Sequence, residues 1–490
     1  MRFTIGAFLA FALTCTAPAM AAPTPSIFEL ARDGEIAQLR NLLDRGAQLD
    51  QRDEHGFTPL MFAAGGGDGP AARLLLERGA DPMAVSKQGA TALHQAAFSG
   101  SEEVVWLLLQ RGVPLDPVTT RGDTPLHFAI RAQRWSVVRT LLAAGADLLA
   151  TPRGRAALAD ALSFGDELNY ERTEPLPVDL AQTLAANGAS LDATDETTGG
   201  SLIHLAAAWR NAPMVEYLLA QGQSARAVDK SGVTPLQRAV ATSSLEKLCK
   251  AVDLLVTMAD ASAQRGLDGR QIERAFCNAP NPLTGFDIGA QRRVISARRV
   301  ATINALLAAG ADPNQLIEGN SDLVGEVASS GDGAAMAALL GGGASPNRVH
   351  PERATALERA ARSGYREVVY ALLAGGADPN LANAAGRTPL MAASVGGGDG
   401  PIVEALIRAG ARVDTRDPQG RTALHYAVGV VPDYTADKYE QNPEQVAVVR
   451  ALLAAGADPN AEDNSGVSPI EAARKSAKFK PAANVMRRGG

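Results

Sequence analysis

Four histidines occur at regular places in this sequence, and histidine is the commonest metal ligand in proteins. His94, His127, His204 and His425 each end a short string such as Thr-Pro-Leu-His. A zinc ion needs several ligand atoms within about 2 Å. Neighbouring histidines of this series would lie on adjacent packed helices, roughly 10 Å apart. The spacing therefore predicts structural roles for these histidines and no metal site.

Glycine-rich strings offer a second kind of chemistry, because a helix that begins behind glycines can bind phosphate through its free N–H groups. The string Gly-Gly-Gly-Asp-Gly-Pro occurs at 65–70 and again at 396–401. Neither copy is followed by the Lys-Ser or Lys-Thr of a phosphate-binding loop. We interpret both strings as ordinary helix starts.

Enzyme motifs are missing from the sequence: H-E-x-x-H, G-x-S-x-G and C-x-x-C do not occur. Acidic residues are plentiful at 165–178 and 431–445, but they show no defined pairing. The sequence predicts neither an enzyme nor a cofactor. A net charge of −6 also argues against a nucleic-acid partner, which would call for a basic surface.

The elements that carry these residues repeat every 33 residues or so. A leucine-rich string ending in glycine, followed in most copies by alanine, recurs with its glycine at Gly46, Gly79, Gly112, Gly145, Gly188, Gly222, Gly310, Gly343, Gly376, Gly410 and Gly456. This glycine suits the left-handed turn that ends a helix. The Thr of each Thr-Pro-Leu-His string caps the next helix, with Pro in its first turn. Each unit is thus predicted to be a β-turn followed by two antiparallel helices.

This pattern, G-x-TPLH-x-A-A…V-V-x-x-LL-x-x-GAD, resembles the ankyrin repeat, and the chain resembles exported bacterial ankyrin-repeat proteins. The match extends over about residues 26–475. It implies an all-α repeat solenoid of about 11–13 units including the caps. Hydrophobic residues at 46% with aromatics at only 4% fit a core of Ala, Leu and Val. We expect the solenoid at 23–475, insertions near 165–178, 278–300 and 431–445, and a basic C-terminal tail at 476–490.

The first 22 residues have a different character. Arg2 precedes a run of mostly apolar residues at 3–15, and Pro18 and the small-residue run 19–21 follow. This is the pattern of a secretory signal peptide that is cleaved after Ala21 or Ala22. The alternative, a membrane anchor, needs about 20 apolar residues. We therefore expect export to the periplasm, no membrane insertion after cleavage, and full secretion as the second choice.

Two cysteines remain after this cleavage, Cys249 and Cys277. An oxidising compartment permits a disulfide bond between them, which would stabilise the fold by roughly 3 kcal/mol. Two buried free thiols are the alternative, and the sequence leaves both open.

The ankyrin resemblance also implies where a partner would bind. In this family partners contact the hairpin tips and the exposed side of the first helix of each repeat. The residues at matching positions, together with two tyrosines of the last insertion, are Phe57, Phe98, Arg131, Trp209, Arg210, Arg362, Arg421, Tyr434 and Tyr439. Phe98 and Trp209 have an alternative role in packing against a neighbouring repeat. A basic stretch at 291–299 could meet an acidic partner or form a solvated helix face.

The function that the resemblance implies is non-enzymatic protein binding. We expect a monomeric interaction scaffold in the periplasm that holds a partner protein on its concave face and hairpin tips. Two alternatives remain: an immunity protein that neutralises an antibacterial toxin, and a secreted effector that binds a host protein.

Overall fold

The structure is a computed structural model of the 490-residue chain. The residues it describes are 25–163, 175–195, 197–241, 288–317, 321–348, 354–395, 399–429, 443–475 and 479–488. The predicted signal peptide lies outside these ranges. The chain divides into two compact units between Thr151 and Pro152.

The first unit contains four pairs of short antiparallel helices. Within each pair the first helix follows a turn and the second helix follows a short polar loop. The helices are Ile27–Arg32 and Ile36–Asp44, Pro59–Gly66 and Gly69–Glu77, Ala92–Ser99 and Glu102–Gln110, Pro125–Arg131 and Trp135–Ala143. First helices pack against first helices, and second helices against second helices.

The second unit continues the same plan with more variation. It begins with a 3-10 helix, Pro152–Ala156, and it contains one antiparallel pair of two-residue strands, Leu316–Ile317 with Ser321–Asp322. Its described α-helices are Ala157–Ser163, Val178–Ala186, Leu202–Ala208, Ala212–Ala220, Pro235–Val240, Ile288–Ala308, Leu323–Ser330, Gly333–Gly341, Ala356–Ser363, Arg366–Ala374, Pro389–Ser394, Gly400–Arg408, Ala423–Ala427, Pro443–Ala454, Pro469–Lys475 and Lys480–Arg488.

The first helices start where the sequence places a Thr. The Thr58 hydroxyl accepts a hydrogen bond from the Met61 amide, and the Thr91 hydroxyl accepts one from the His94 amide. Pro59 stands at the first helical position, where the N–H that it lacks has no partner within the helix. Such a cap stabilises a helix by about 1 kcal/mol. This is a large contribution for helices of only two turns.

The core of each repeat is built from small and aliphatic side chains. In one repeat Leu93, Ala96 and Ala97 are buried on the first helix, and Val104 and Leu108 on the second. The alanines allow first helices of neighbouring repeats to pack closely. The all-α repeat solenoid and its ankyrin-type units, expected from the sequence, are therefore confirmed.

Two segments differ from the predicted boundaries. Residues 480–488, predicted as part of a basic tail, form a helix that packs against Pro443–Ala454 and Pro469–Lys475 and buries Met486. Residues 288–300, predicted as part of an insertion, belong to the 21-residue helix Ile288–Ala308. Among the helices that the structure describes, none is long and apolar enough to cross a membrane.

Gln133 occupies a strained position at the end of a first helix. Its φ is 54°, in the left-handed region, where the preceding repeats use Gly67 and Gly100. A residue with a Cβ atom costs about 1–2 kcal/mol there. We expect Gln133→Gly to raise the free energy of unfolding by about 1 kcal/mol, because relief of strain exceeds the added freedom of the unfolded chain. Urea denaturation measures this.

A matched control for this substitution is Gln95→Gly, which places glycine inside the helix Ala92–Ser99. It should lower the free energy of unfolding by about 1 kcal/mol. Effects of the same sign for the two variants would contradict the assignment of strain to Gln133.

Candidate functional site

The histidines of the Thr-Pro-Leu-His strings tie neighbouring repeats together. The Nδ1 of His94 accepts a hydrogen bond from the Thr91 amide at 3.1 Å, so Nε2 carries the proton and donates to the Asp123 carbonyl at 3.2 Å. His204 and His425 reach the carbonyls of Val233 and Val467 in the same way, both at 3.1 Å. The predicted structural role of these three residues matches what the structure shows.

Burial keeps these histidines neutral. It lowers the pKa of His94 to about 4, and it lowers the pKa values of His204 and His425 below the usual 6.5. At these histidines the folded chain therefore binds fewer protons than the unfolded chain. Their titration lowers the free energy of unfolding as the pH falls below about 6.5. Among the described residues, no group of three or more His, Cys, Asp or Glu side chains is placed to hold a metal ion.

In two divergent repeats a polar residue of another type, Gln237 or Glu358, stands at the position of the histidine. Gln237 reproduces the bonding of histidine: its Oε1 accepts from the Thr234 amide and its Nε2 donates to the Leu316 carbonyl. Glu358 does not. It is 0% exposed, and within the described chain neither of its carboxyl oxygens has a hydrogen-bond partner. Burial raises the pKa of Glu358, while Arg362, Arg387 and Arg359 oppose that rise.

The second Gly-Gly-Gly-Asp-Gly-Pro string has a structural explanation. Asp399 caps the helix Gly400–Arg408 and accepts a hydrogen bond from the Ile402 amide. Its carboxylate also binds Arg366 of the preceding repeat, with Nε 2.8 and 2.9 Å from the two oxygens. Asp332 and Arg299 form the same link two repeats earlier. The helix starts are thus joined between repeats by Arg–Asp pairs.

The first unit presents an aromatic surface on its first helices and hairpin tips. We call this surface, formed by Phe28, Phe57, Phe62, Phe98 and Phe128, the aromatic face. The Phe62 ring lies 5.1 Å from Phe28 and 6.2 Å from Phe57, and Phe128 lies 5.1 Å from the His94 ring. Phe98 is 56% exposed, so most of its ring lies in solvent. This placement favours a contact residue over the alternative of packing between repeats.

Arg131 lies on the same side of the first unit. Its guanidinium is half-buried and pairs with the buried carboxylate of Asp123, at 3.5 Å. Its charge is therefore partly balanced by its own repeat, and its predicted role as a contact residue stays a prediction.

In the second unit the predicted contact residues divide into two groups. Arg362 is exposed on a first helix, and Trp209 is half-buried at the end of another. Arg210 is only 2% exposed, and its Nη2 donates to the Ala241 carbonyl at 2.7 Å. Arg421 is buried against Asp417. The prediction that Arg210 and Arg421 meet a partner is therefore corrected. Arg210 bonds to the end of the helix Pro235–Val240, and Arg421 pairs with Asp417 within its own repeat.

The remaining predicted sites are not covered by the structure. Tyr434, Tyr439, Cys249 and Cys277 lie outside the described residues, so the insertion contacts and the disulfide stay predictions. Within the basic stretch 291–299, Arg299 is 0% exposed and pairs with Asp332 at 2.7 Å. That residue is therefore not available to an acidic partner.

Sequence reasoning missed one arrangement on the second unit. The Tyr426 ring lies near two guanidinium groups, with its centre 5.6 Å from Arg387 and 5.3 Å from Arg421, and its hydroxyl donates to Asp417 at 2.7 Å. Burial and this bond raise the pKa of Tyr426 above its usual range. Arg387 and Tyr426 come from adjacent repeats, and no local motif marks them.

Comparison with known proteins agrees with this repeat architecture. A sequence model described as "Ankyrin repeats (3 copies)" matches residues 27–119, 70–152, 176–265 and 357–463, together more than half of the chain. The chain belongs to the ankyrin-repeat family. Ankyrin repeats form protein–protein interaction scaffolds, and the family is generally non-enzymatic.

Two individual relatives illustrate the match. Over 84 residues, 17% of this chain, the sequence is 36% identical to the Neurogenic locus Notch protein of Drosophila melanogaster. That stretch spans 3% of the Notch protein. The human ASB11 ankyrin repeat domain, a crystal structure, aligns at 26% identity with a TM-score of 0.36, covering 46% of this chain and 95% of that domain.

Proposed function

We propose that this ankyrin-repeat protein is a non-enzymatic scaffold that is exported to the periplasm and binds a protein partner there. The single observation that carries the binding site is the exposure of Phe98, whose side chain on the first helix Ala92–Ser99 is 56% exposed. Large aromatic side chains supply most of the binding energy at protein interfaces. The first helices of the first unit are therefore the preferred contact surface.

The aromatic face also has a rigid support. Its hairpin tips are joined by backbone hydrogen bonds, from the Lys87 amide to the His55 carbonyl and from the Thr120 amide to the Gln88 carbonyl. A surface that is already ordered loses little conformational entropy on binding. This favours a pre-formed binding site over one that folds around its partner.

Phe98→Ala is expected to weaken partner binding by at least about tenfold, the loss typical of truncating an aromatic anchor. The mature chain, residues 22–490, would be used to capture proteins from an envelope extract of the producing organism, with mass spectrometry to identify them. Stability should change by less than about 0.5 kcal/mol, since the ring is exposed.

Trp106→Ala is the matched control for this experiment. Trp106 is also 56% exposed, but it lies on the second helix Glu102–Gln110. The partner should be retained by Trp106→Ala and lost by Phe98→Ala. The reverse pattern would place the interface on the second helices and overturn the proposed site.

Export is tested separately, by fractionating cells that produce the full chain. Removal of residues 1–22 should leave the protein in the cytoplasm, whereas the full chain should reach the periplasm. Full-length protein in the cytoplasm would contradict the export proposal. Protein in the culture medium would favour an effector that acts outside the cell.

A further inference from the structure

The second unit carries a group of arginines around one buried carboxyl. Arg359 and Arg362 lie one turn apart on the helix Ala356–Ser363, and Arg387 comes immediately before the Thr that caps the adjoining helix Pro389–Ser394. The two helices pack against each other. All three guanidinium groups act electrostatically on Glu358. We call Arg359, Arg362 and Arg387 the arginine patch.

The carboxyl beneath this patch does not use the hydrogen-bond donors of the arginines. Glu358 is fully buried, and its oxygens accept no hydrogen bond from any described residue. Arg362 is exposed, and the Nε of Arg387 has no acceptor among the described residues. The Nε of Arg387 is enclosed, so an acceptor from outside the chain can reach the exposed guanidinium of Arg362 and the solvent-facing part of the half-buried Arg387.

Arg387 is also held in place. Its guanidinium lies 5.6 Å from the centre of the Tyr426 ring, a cation–π distance. Arg421, which lies 5.3 Å from the centre of the same ring, is neutralised by Asp417 at 2.8 Å. The Tyr426 ring thus supports Arg387 without neutralising its charge. The nearby carboxylate of Asp417 already pairs with Arg421.

We propose that Arg362 and Arg387 of the arginine patch bind a carboxylate from an acidic segment of the protein partner. Guanidinium groups form short, charge-assisted hydrogen bonds with carboxylates, often two at a time. The two arginines come from adjacent repeats, so one extended segment that crosses the repeats would meet both. This inference rests on the proposed scaffold function and names the chemistry of what the scaffold holds.

The surroundings of the patch favour a protein segment over a nucleic acid. A phosphate backbone would need a continuous row of cations. Here the positions equivalent to Arg359 on the next two first helices are Ala392 and Tyr426, and the nearby Arg421 is paired. The positive charge is therefore local, with small and aromatic side chains beside it.

The test uses a fluorescent peptide of alternating glutamate and alanine, with a glutamine–alanine peptide as its neutral counterpart. Binding to the mature chain is followed by fluorescence anisotropy. We expect the wild-type chain to bind the acidic peptide and not the neutral one. Arg362→Glu and Arg387→Glu should each weaken binding by at least about tenfold, the effect of losing a charge-assisted hydrogen bond.

Arg450→Glu is the control, because Arg450 is exposed on the helix Pro443–Ala454 and the substitution changes the net charge equally. It should alter the affinity by less than about twofold. Equal losses in Arg362→Glu and Arg450→Glu, equal binding of the neutral peptide, or a preference for single-stranded DNA would each overturn the proposal.

The scaffold proposal fails in a different way. If Phe98→Ala releases the captured partner while Arg362→Glu and Arg387→Glu bind peptide like the wild type, the scaffold stands and the acidic-segment site is wrong. If the peptide results hold but the envelope extract supplies no partner, the proposed periplasmic partner is wrong.

Discussion

Replacing Asp332 by alanine is expected to destabilise the second unit by about 3–5 kcal/mol, the cost of leaving a buried charge without its partner. The charge is that of Arg299, which is 0% exposed and donates to Asp332 Oδ2 at 2.7 Å. The same carboxylate accepts from the Ser296 hydroxyl and caps the helix Gly333–Gly341 through the Ala335 amide. Hydrogen exchange in the helices Ile288–Ala308 and Gly333–Gly341 measures the loss locally.

Asp399→Ala provides the comparison, because it removes the same kind of cap and the same kind of ion pair. Its partner Arg366 has a side chain that is 34% exposed, so water can solvate the charge left behind. We expect a cost of about 1–2 kcal/mol for this variant. Equal effects of the two substitutions would show that the burial of Arg299 does not set the cost.

Replacing Glu358 by methionine is expected to stabilise the protein by about 1–3 kcal/mol at neutral pH, the cost of an unsatisfied buried polar group. Methionine already occupies this position in two other repeats, as the buried residues Met61 and Met391. The arginine patch loses a counter-charge in this variant. Since Arg362 is exposed, water compensates most of that loss.

The pH dependence of this gain has a definite sign. Because the pKa of Glu358 is raised in the folded state above its ordinary value of 4.5, the folded chain holds the proton more tightly than the unfolded chain. The wild-type protein therefore loses stability as the pH rises through the raised pKa. Thermal unfolding of both proteins should show a small difference at about pH 4 and the full difference at about pH 8.

The histidines titrate in both proteins alike, so they cancel in this comparison. A Glu358→Met gain that is independent of pH would mean that packing, and not the proton, sets the effect. A loss of stability at every pH would contradict the description of Glu358 as an unsatisfied acid.

The repeat architecture could be predicted because each element has a local cause. Thr58 and Thr91 each cap a helix by accepting a hydrogen bond from the backbone amide three residues later. Gly100 ends a helix in a left-handed conformation. The histidine position was equally predictable, since His94 contacts residues at fixed distances along the repeat. Contacts between residues at fixed distances along the repeat can be predicted directly from the period of the sequence.

The predicted roles of Arg210 and Arg421 were wrong because the repeat period does not specify which groups these side chains contact. Arg210 stands at a position where other repeats use glycine, with a φ of 52°, and its side chain turns inward to the Ala241 carbonyl. Arg421 is buried because Asp417 and Tyr426 surround it. The burial of these two arginines is set by the groups around them, which the repeat period does not specify.

The candidate contact surface was predicted better in the first unit than in the second. Phe98 follows a regular repeat, and the side chain points to solvent as the pattern implies. Arg362 is exposed on its first helix, whereas the contact between Arg387 and Tyr426 joins adjacent repeats and has no local signal in the sequence.

A protein partner is proposed to bind the first helices and hairpin tips of the first unit. The most direct measurement is hydrogen–deuterium exchange of the mature chain, alone and after incubation with the proteins it captures from the envelope extract. We predict slower exchange in Pro59–Gly66, Ala92–Ser99 and Pro125–Arg131 on binding. Protection confined to second helices such as Glu102–Gln110, or no captured protein at all, would contradict the account.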